Sequence, residues 1–153
     1  MYKVGIIGPE SSGKSTLARY LAKRYKGVYM PEYARTFVEQ KGTTEVTWDE
    51  LCAIAKHQIE EMERLTSNLY FFDTELIVTK VWFDYAFGRV PEWLNKNIHR
   101  FPMDVYLLTY PDIPWMPDPA RSNGSDAIRK ELFDRYEAEI QALDIPYYII
   151  RHV

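Results

Sequence analysis

The chain has 153 residues, of which 46% are hydrophobic and 15% aromatic, and a formal net charge of −3. That composition suits a folded domain with a sizeable core and excludes a disordered segment, and the charge argues against nucleic acid as the main partner. Cys52 is the single cysteine, which excludes an internal disulfide and a cysteine-built zinc site. No apolar run approaches the ~20 residues of a membrane helix and Val4–Gly8 is too short for a signal peptide, so a soluble cytoplasmic protein without membrane partners is expected.

Lys3–Gly8 is short, rich in β formers and ends in glycine, as a buried first strand does. Ser15–Lys26 follows with good helix formers, and Gly27 is placed to terminate that helix. Val28–Met30 reads as a second strand closed by Pro31. Thr47-Trp48-Asp49-Glu50 fits a capping box and opens a longer helix, with Leu51, Ala55, Met62, Leu65 and Leu69 recurring on one face. Leu69–Phe72 is a third buried strand ending in Asp73. A helix to Phe87 follows, closed by Gly88, then a short one over Pro91–Asn97. Val105–Thr109 is a fourth strand, and Pro111 to Gly124 carries four prolines and reads as a long loop. Asp126–Leu143 has a stripe of Ile128, Leu132, Tyr136, Ile140 and Leu143, and Tyr147–Ile150 is a fifth strand. Alternating strands and helices predict one α/β domain over residues 1–153, a sandwich around a mostly parallel sheet.

Gly8-Pro9-Glu10-Ser11-Ser12-Gly13-Lys14-Ser15 matches GxxxxGK[ST] without a mismatch, between a predicted strand and a predicted helix. Glycines let successive backbone N–H groups turn inward around phosphate oxygens, and the following helix adds its positive end. The segment Gly8 to Thr16 is therefore expected to bind ATP. Lys14 would reach the β- and γ-phosphates, the Ser15 hydroxyl would ligate Mg²⁺, and Thr16 would donate to the α-phosphate. The guanine-selecting Asn-Lys-x-Asp motif is absent from the sequence, which favours ATP over GTP.

Ligands of open parallel sheets bind beyond the carboxyl ends of the strands, so Asp73 should face the phosphate cradle and hold Mg²⁺ directly or through water. Its alternative is the N-cap of the helix that follows. The segment Pro31-Glu32-Tyr33-Ala34-Arg35 falls at the same edge. There Glu32 could take a proton from an attacking hydroxyl or bind sugar hydroxyls, and Arg35 could meet a phosphate. Gln58 shares the buried face of the long helix, so with His57 it is a candidate to touch the acceptor. The proline-rich loop has the length of a lid and carries Trp115, Asp118 and Arg121. Arg121 could close on the transferring phosphoryl group, and Trp115 could stack on a base or anchor the loop. Trp82, Phe83, Tyr85 and Phe87 are expected in the core and pocket wall.

The set GPESSGKST, PEYAR, HQ, FFDTE and DIPWMPDPARS, in order over almost the whole chain, resembles the ribosylnicotinamide kinase domain of bacterial NadR-type proteins. The resemblance implies a nucleoside-kinase-like fold with five strands in the order 2-3-1-4-5. It implies transfer of the ATP γ-phosphate to the 5′-hydroxyl of nicotinamide riboside, giving nicotinamide mononucleotide. By the same resemblance Gly8–Thr16 bind ATP, and Asp73 serves magnesium or the acceptor hydroxyl. Glu32, Tyr33 and Arg35 sit beside the riboside, and Trp115, Asp118 and Arg121 form the lid side. Two departures stand out. Pro31 replaces an aromatic residue of some relatives, and the chain stops at Val153, where kinases of this fold continue into a closing helix. Either Glu32 or Asp73 would be the base. The alternatives are a kinase for another nucleoside or a nucleotide, and an ATP-binding switch without small-molecule kinase activity. Thr74 after Asp73, in place of an arginine, favours an uncharged-sugar acceptor.

Overall fold

The computed structural model describes residues 1–10, 12–35, 37, 45–111 and 126–151. Five strands, β1 (Tyr2–Ile7), β2 (Val28–Met30), β3 (Leu69–Asp73), β4 (Val105–Thr109) and β5 (Tyr147–Ile150), form one sheet in the order β2-β3-β1-β4-β5. Every neighbouring pair is parallel, which requires a crossover between successive strands. The described helices are α1 (Lys14–Arg24), α2 (Trp48–Glu63), α3 (Leu76–Phe87), α4 (Glu92–Arg100) and α5 (Asp126–Leu143). None of them is long and apolar enough to cross a membrane. The predicted strand order and the three-layer arrangement are both present.

Side-chain alternation along the strands divides the core in two. On one face Val4, Ile6 and Phe71 pack against Ala18 and Ala22 of α1. On the other, Ile7, Tyr70, Phe72, Tyr106 and Leu108 pack against α2, α3, α4 and α5. The α1 face uses alanine because small side chains let the helix lie close to the sheet.

Element boundaries follow local chemistry. Thr47 and Glu50 form the reciprocal capping box at the start of α2, with Glu50 N–H donating to Thr47 Oγ1 at 3.1 Å and Thr47 N–H to Glu50 Oε1 at 3.0 Å. Such a cap stabilises a helix by about 1 kcal/mol. Helix α2 ends at Glu63, so Leu65 lies beyond it and Leu69 belongs to β3; Ile54 and Ile59 complete its buried face instead. Gly88 closes α3 in the left-handed conformation at φ 69°, as expected. Helix α4 runs three residues past its predicted end, to Arg100.

The end of α1 differs from expectation. Lys26, at φ 56°, takes the left-handed position, and Gly27 N–H donates to Ala22 O at 2.8 Å. Gly27 is needed for another reason: a Cβ there would lie 2.8 Å from the Phe71 ring and 3.0 Å from Leu69. In α5 the buried positions are Arg129, Leu132, Phe133, Tyr136 and Ile140, while Ile128 and Leu143 are only half-buried. Of the aromatic cluster, Phe83 is fully buried and Phe87 is an exposed ring packed edge-on to Trp48.

Candidate active site

Parallel pairing fixes which residues share the carboxyl edge of the sheet. Ile7 pairs with Leu108, Ile6 with Asp73, and Met30 with Phe72. Pro31, Asp73, Gly8 and Thr109, from four segments distant in sequence, therefore follow one another along that edge in the order of β2, β3, β1 and β4.

The turn from β1 to α1 is held from below. Ser12 Oγ donates to Pro9 O at 2.5 Å and shares a hydrogen bond of 2.6 Å with Thr109 Oγ1. A Cβ at Gly8 would fall 2.0 Å from Thr109 Oγ1 and 2.8 Å from its carbonyl oxygen, so only glycine fits. Gly13 precedes α1 at φ 86°, a conformation that L side chains rarely adopt. Helix α1 begins at Lys14 with no side-chain cap at Gly13, and the N–H groups at a helix start of this kind suit an anion. Lys14 and Glu10 are buried, Ser15 is half-buried and Thr16 is exposed. Ser11 lies outside the described residues.

Asp73 is 1% exposed and has the same strand parity as Phe71, so it turns to the α1 side. Its Oδ2 accepts from Ser15 Oγ at 2.5 Å and from Tyr29 OH at 2.9 Å. Its Oδ1 is buried without a hydrogen-bond partner. A hydroxyl beside a carboxylate with one open oxygen, at the end of a phosphate-type turn, is a donor set that fits Mg²⁺ together with phosphate oxygens. Among the described residues no group of three or more His, Cys, Asp or Glu could hold a metal alone. The alternative of Asp73 as helix N-cap does not hold: Glu75 caps α3, its Oε1 accepting from Ile77 N–H at 3.0 Å.

Tyr29 escaped the sequence reading. Its phenol is pushed up to about 12, chiefly by burial and then by the Asp73 carboxylate and its hydrogen bond, while Arg19 opposes the shift. It stays a hydrogen-bond donor across the working pH range. Nothing local in Val28-Tyr29-Met30 signals this, because it depends on β2 lying beside β3. Thr109 was legible only as a polar residue closing an apolar strand.

On the other side of the sheet edge lies a small, partly open pocket lined by Met30, Pro31, Tyr33, Gln58, Glu61, Met62, Phe72, Thr74, Glu75 and Leu76. Gln58 and Tyr33, both acceptor candidates from the sequence, line it. Gln58 Oε1 accepts from Thr79 Oγ1 at 2.6 Å, which fixes its amide. His57 instead stacks on the Tyr33 ring at 3.6 Å and 14°, with Nε2 3.5 Å from Glu61 Oε1. Burial pushes the Glu61 carboxyl up, and His57 opposes this. Glu32 is buried and Arg35 half-buried just beyond β2. None of Trp82, Phe83, Tyr85 and Phe87 lines this pocket, so the expected pocket wall is built by other residues.

Thr74 and Glu75 were missed as pocket residues. Thr74 is buried at φ 74°, and its Oγ1 has no hydrogen-bond partner. A β-branched residue held there stores backbone strain. Burial pushes the Glu75 carboxyl up to about 7, against hydrogen bonds from Ile77 and Tyr106. The Tyr106 phenol is itself raised well above its ordinary range by burial and then by Glu75. Trp115, Asp118 and Arg121, the lid candidates, lie outside the described residues.

A family described as an AAA domain matches residues 3–153. The trifunctional NAD biosynthesis/regulator protein NadR of Escherichia coli (strain K12) is 30% identical over 134 residues, covering 84% of this chain and 33% of that protein. The chain spans about a third of the length of the curated relatives it matches. A crystal structure of NadR protein in complex with NR superposes with a TM-score of 0.73 at 21% identity, covering 97% of this chain and 43% of that one. Deoxyadenosine kinase from M. mycoides, with products dcmp and dcdp bound, superposes with a TM-score of 0.63 at 15% identity, covering 97% and 88%. At those identities the superpositions establish a shared fold. The family match over nearly the whole length, together with the glycine-lysine turn and the strand order, makes this chain a member of the AAA domain family built on the P-loop nucleoside-kinase fold.

Proposed function

We propose that the chain is an ATP-dependent kinase for the 5′-hydroxyl of a nucleoside, with nicotinamide riboside as the acceptor and nicotinamide mononucleotide as the product. The observation that carries this reading is the adjacency of Asp73 and Thr74. The first is hydrogen-bonded to Ser15 beside the phosphate-type turn, and the second lines the pocket across the sheet edge. A phosphoryl group held by one and a sugar held by the other would meet. Likeness to NadR, and to its complex with NR, supports the choice of acceptor.

In this reading the backbone N–H groups of Gly8 and of residues 10–16 and the Lys14 ammonium hold the ATP phosphates, and Ser15 and Asp73 hold Mg²⁺. The ion, when bound, would neutralise phosphate charge as it develops. Glu32 or Asp73 orients the acceptor hydroxyl and receives its proton. The acceptor oxygen forms the new bond to the γ-phosphorus as the bond to the leaving ADP oxygen breaks, with no change in oxidation state. Glu32, Tyr33, Arg35 and Gln58 contact the riboside. Arg121, outside the described residues, is the expected side chain to stabilise the transferring group.

The test is ATP consumption by the purified protein with Mg²⁺, with and without nicotinamide riboside, reading nicotinamide mononucleotide by mass spectrometry. Product that disappears in Lys14→Ala is the expected result. ATP binding with turnover indifferent to every nucleoside and nucleotide offered would overturn the kinase reading in favour of an ATP-binding switch. Product with another nucleoside or nucleotide alone would replace the acceptor and keep the reaction.

A further inference from the structure

The acceptor pocket carries a charge pattern that narrows what it accepts. Two carboxylates, Glu61 and Glu75, line it together with the Tyr33 ring and the Met30 and Met62 side chains. None of the described lining residues is lysine or arginine. Glu75 is buried and engaged as the cap of α3, whereas the Glu61 side chain is 28% exposed and paired at 3.5 Å with His57 Nε2, which offsets its charge only when protonated. An aromatic ring, polarizable thioethers and a carboxylate are together the surroundings that attract an organic cation.

Thr74, 7% exposed, lines the same pocket with a buried hydroxyl oxygen that has no hydrogen-bond partner. Buried hydroxyls are rarely left so, because an unmet polar group has lost its water without replacement. A ligand hydroxyl would satisfy it.

We propose that Glu61 and Thr74 are the specificity-determining residues of the acceptor site: Glu61 selects a nucleoside whose base carries a positive charge, and Thr74 binds a sugar hydroxyl. This rests on the acceptor reading above and assigns discrimination of that acceptor to these two side chains. A nucleoside monophosphate is disfavoured, since its phosphate dianion would meet the Glu61 carboxylate with no lysine or arginine among the described lining residues.

The experiment compares nicotinamide riboside with its uncharged 1,4-dihydro form. Dissociation constants are measured by calorimetry in the presence of a non-hydrolysable ATP analogue, and product formation is followed in parallel with ATP. The wild-type protein should bind the cationic form about fivefold more tightly or better, the size expected of a half-exposed charge pair. Glu61→Gln should remove most of that preference by weakening the cationic form alone. Thr74→Val should weaken both forms alike and leave their ratio unchanged, with folding of each variant checked by its melting temperature.

Equal binding of the two forms by wild-type protein, or a ratio unaltered in Glu61→Gln, overturns the inference even where product is made. Charge-selective binding without product keeps the inference and sinks the kinase reading. Binding of neither form sinks both.

Discussion

Glu75 offers a direct measurement of what the interior of this fold does to a carboxyl group. It is 5% exposed, caps α3 through Ile77 and meets Tyr106, and burial raises it from about 4.5 to about 7. The folded chain thus holds this proton more tightly than the unfolded chain does. Its stabilising contribution is complete below about pH 4.5 and is lost as pH rises through about 7. A tenfold change in proton affinity is worth about 1.4 kcal/mol, so this single carboxyl should remove about 2–3 kcal/mol of stability between about pH 5 and pH 8. Glu75→Gln keeps an oxygen for Ile77 N–H but cannot ionise. The stability of the variant relative to wild type should therefore rise by about 2–3 kcal/mol over that interval, a relative gain of about 5–10 °C in Tm for a chain of this size. Urea unfolding of both proteins at several pH values measures it, because every other titrating group cancels in the difference. A constant offset between the two stability curves would refute the argument, meaning that Glu75 is solvated or that Tyr106 and the helix end hold it ionised.

Two further expectations concern the phosphate side. Gly8→Ala puts a Cβ against Thr109 on the neighbouring strand, and overpacking of that kind should cost about 1–3 kcal/mol and lower Tm, with ATP affinity falling as the turn is displaced. An unchanged Tm would mean that β1 and β4 are not so close at their ends. Tyr29→Phe removes one of two hydroxyls on Asp73 Oδ2 and, on the proposed kinase reading, should reduce kcat about tenfold while ATP binding changes little. If kcat is unaltered, Ser15 alone is enough to orient that carboxylate.

The local signals in the sequence were strong where one segment does the chemistry. Gly8 to Ser15 marks a strand-turn-helix junction because such a turn is built from consecutive backbone groups, and Thr47 with Glu50 states a helix start for the same reason. Strand and helix identity came from hydrophobic spacing, and the strand order from the resemblance, matching the observed sheet. Spacing failed at boundaries: Leu65 and Leu69 carry the helical rhythm of α2 past its end, and Gly27 serves packing on Phe71 while Lys26 makes the turn.

Tertiary structure decided what crosses the sheet. Tyr29 reaches Asp73, Thr109 meets Ser12, and Thr74 and Glu75 line a pocket with Gln58 and Glu61, across sequence separations that no local pattern records. Parallel pairing is the physical reason. It aligns the carboxyl ends of strands far apart in the chain, so a polar residue's surroundings are set by its neighbours in register and not by its neighbours in sequence.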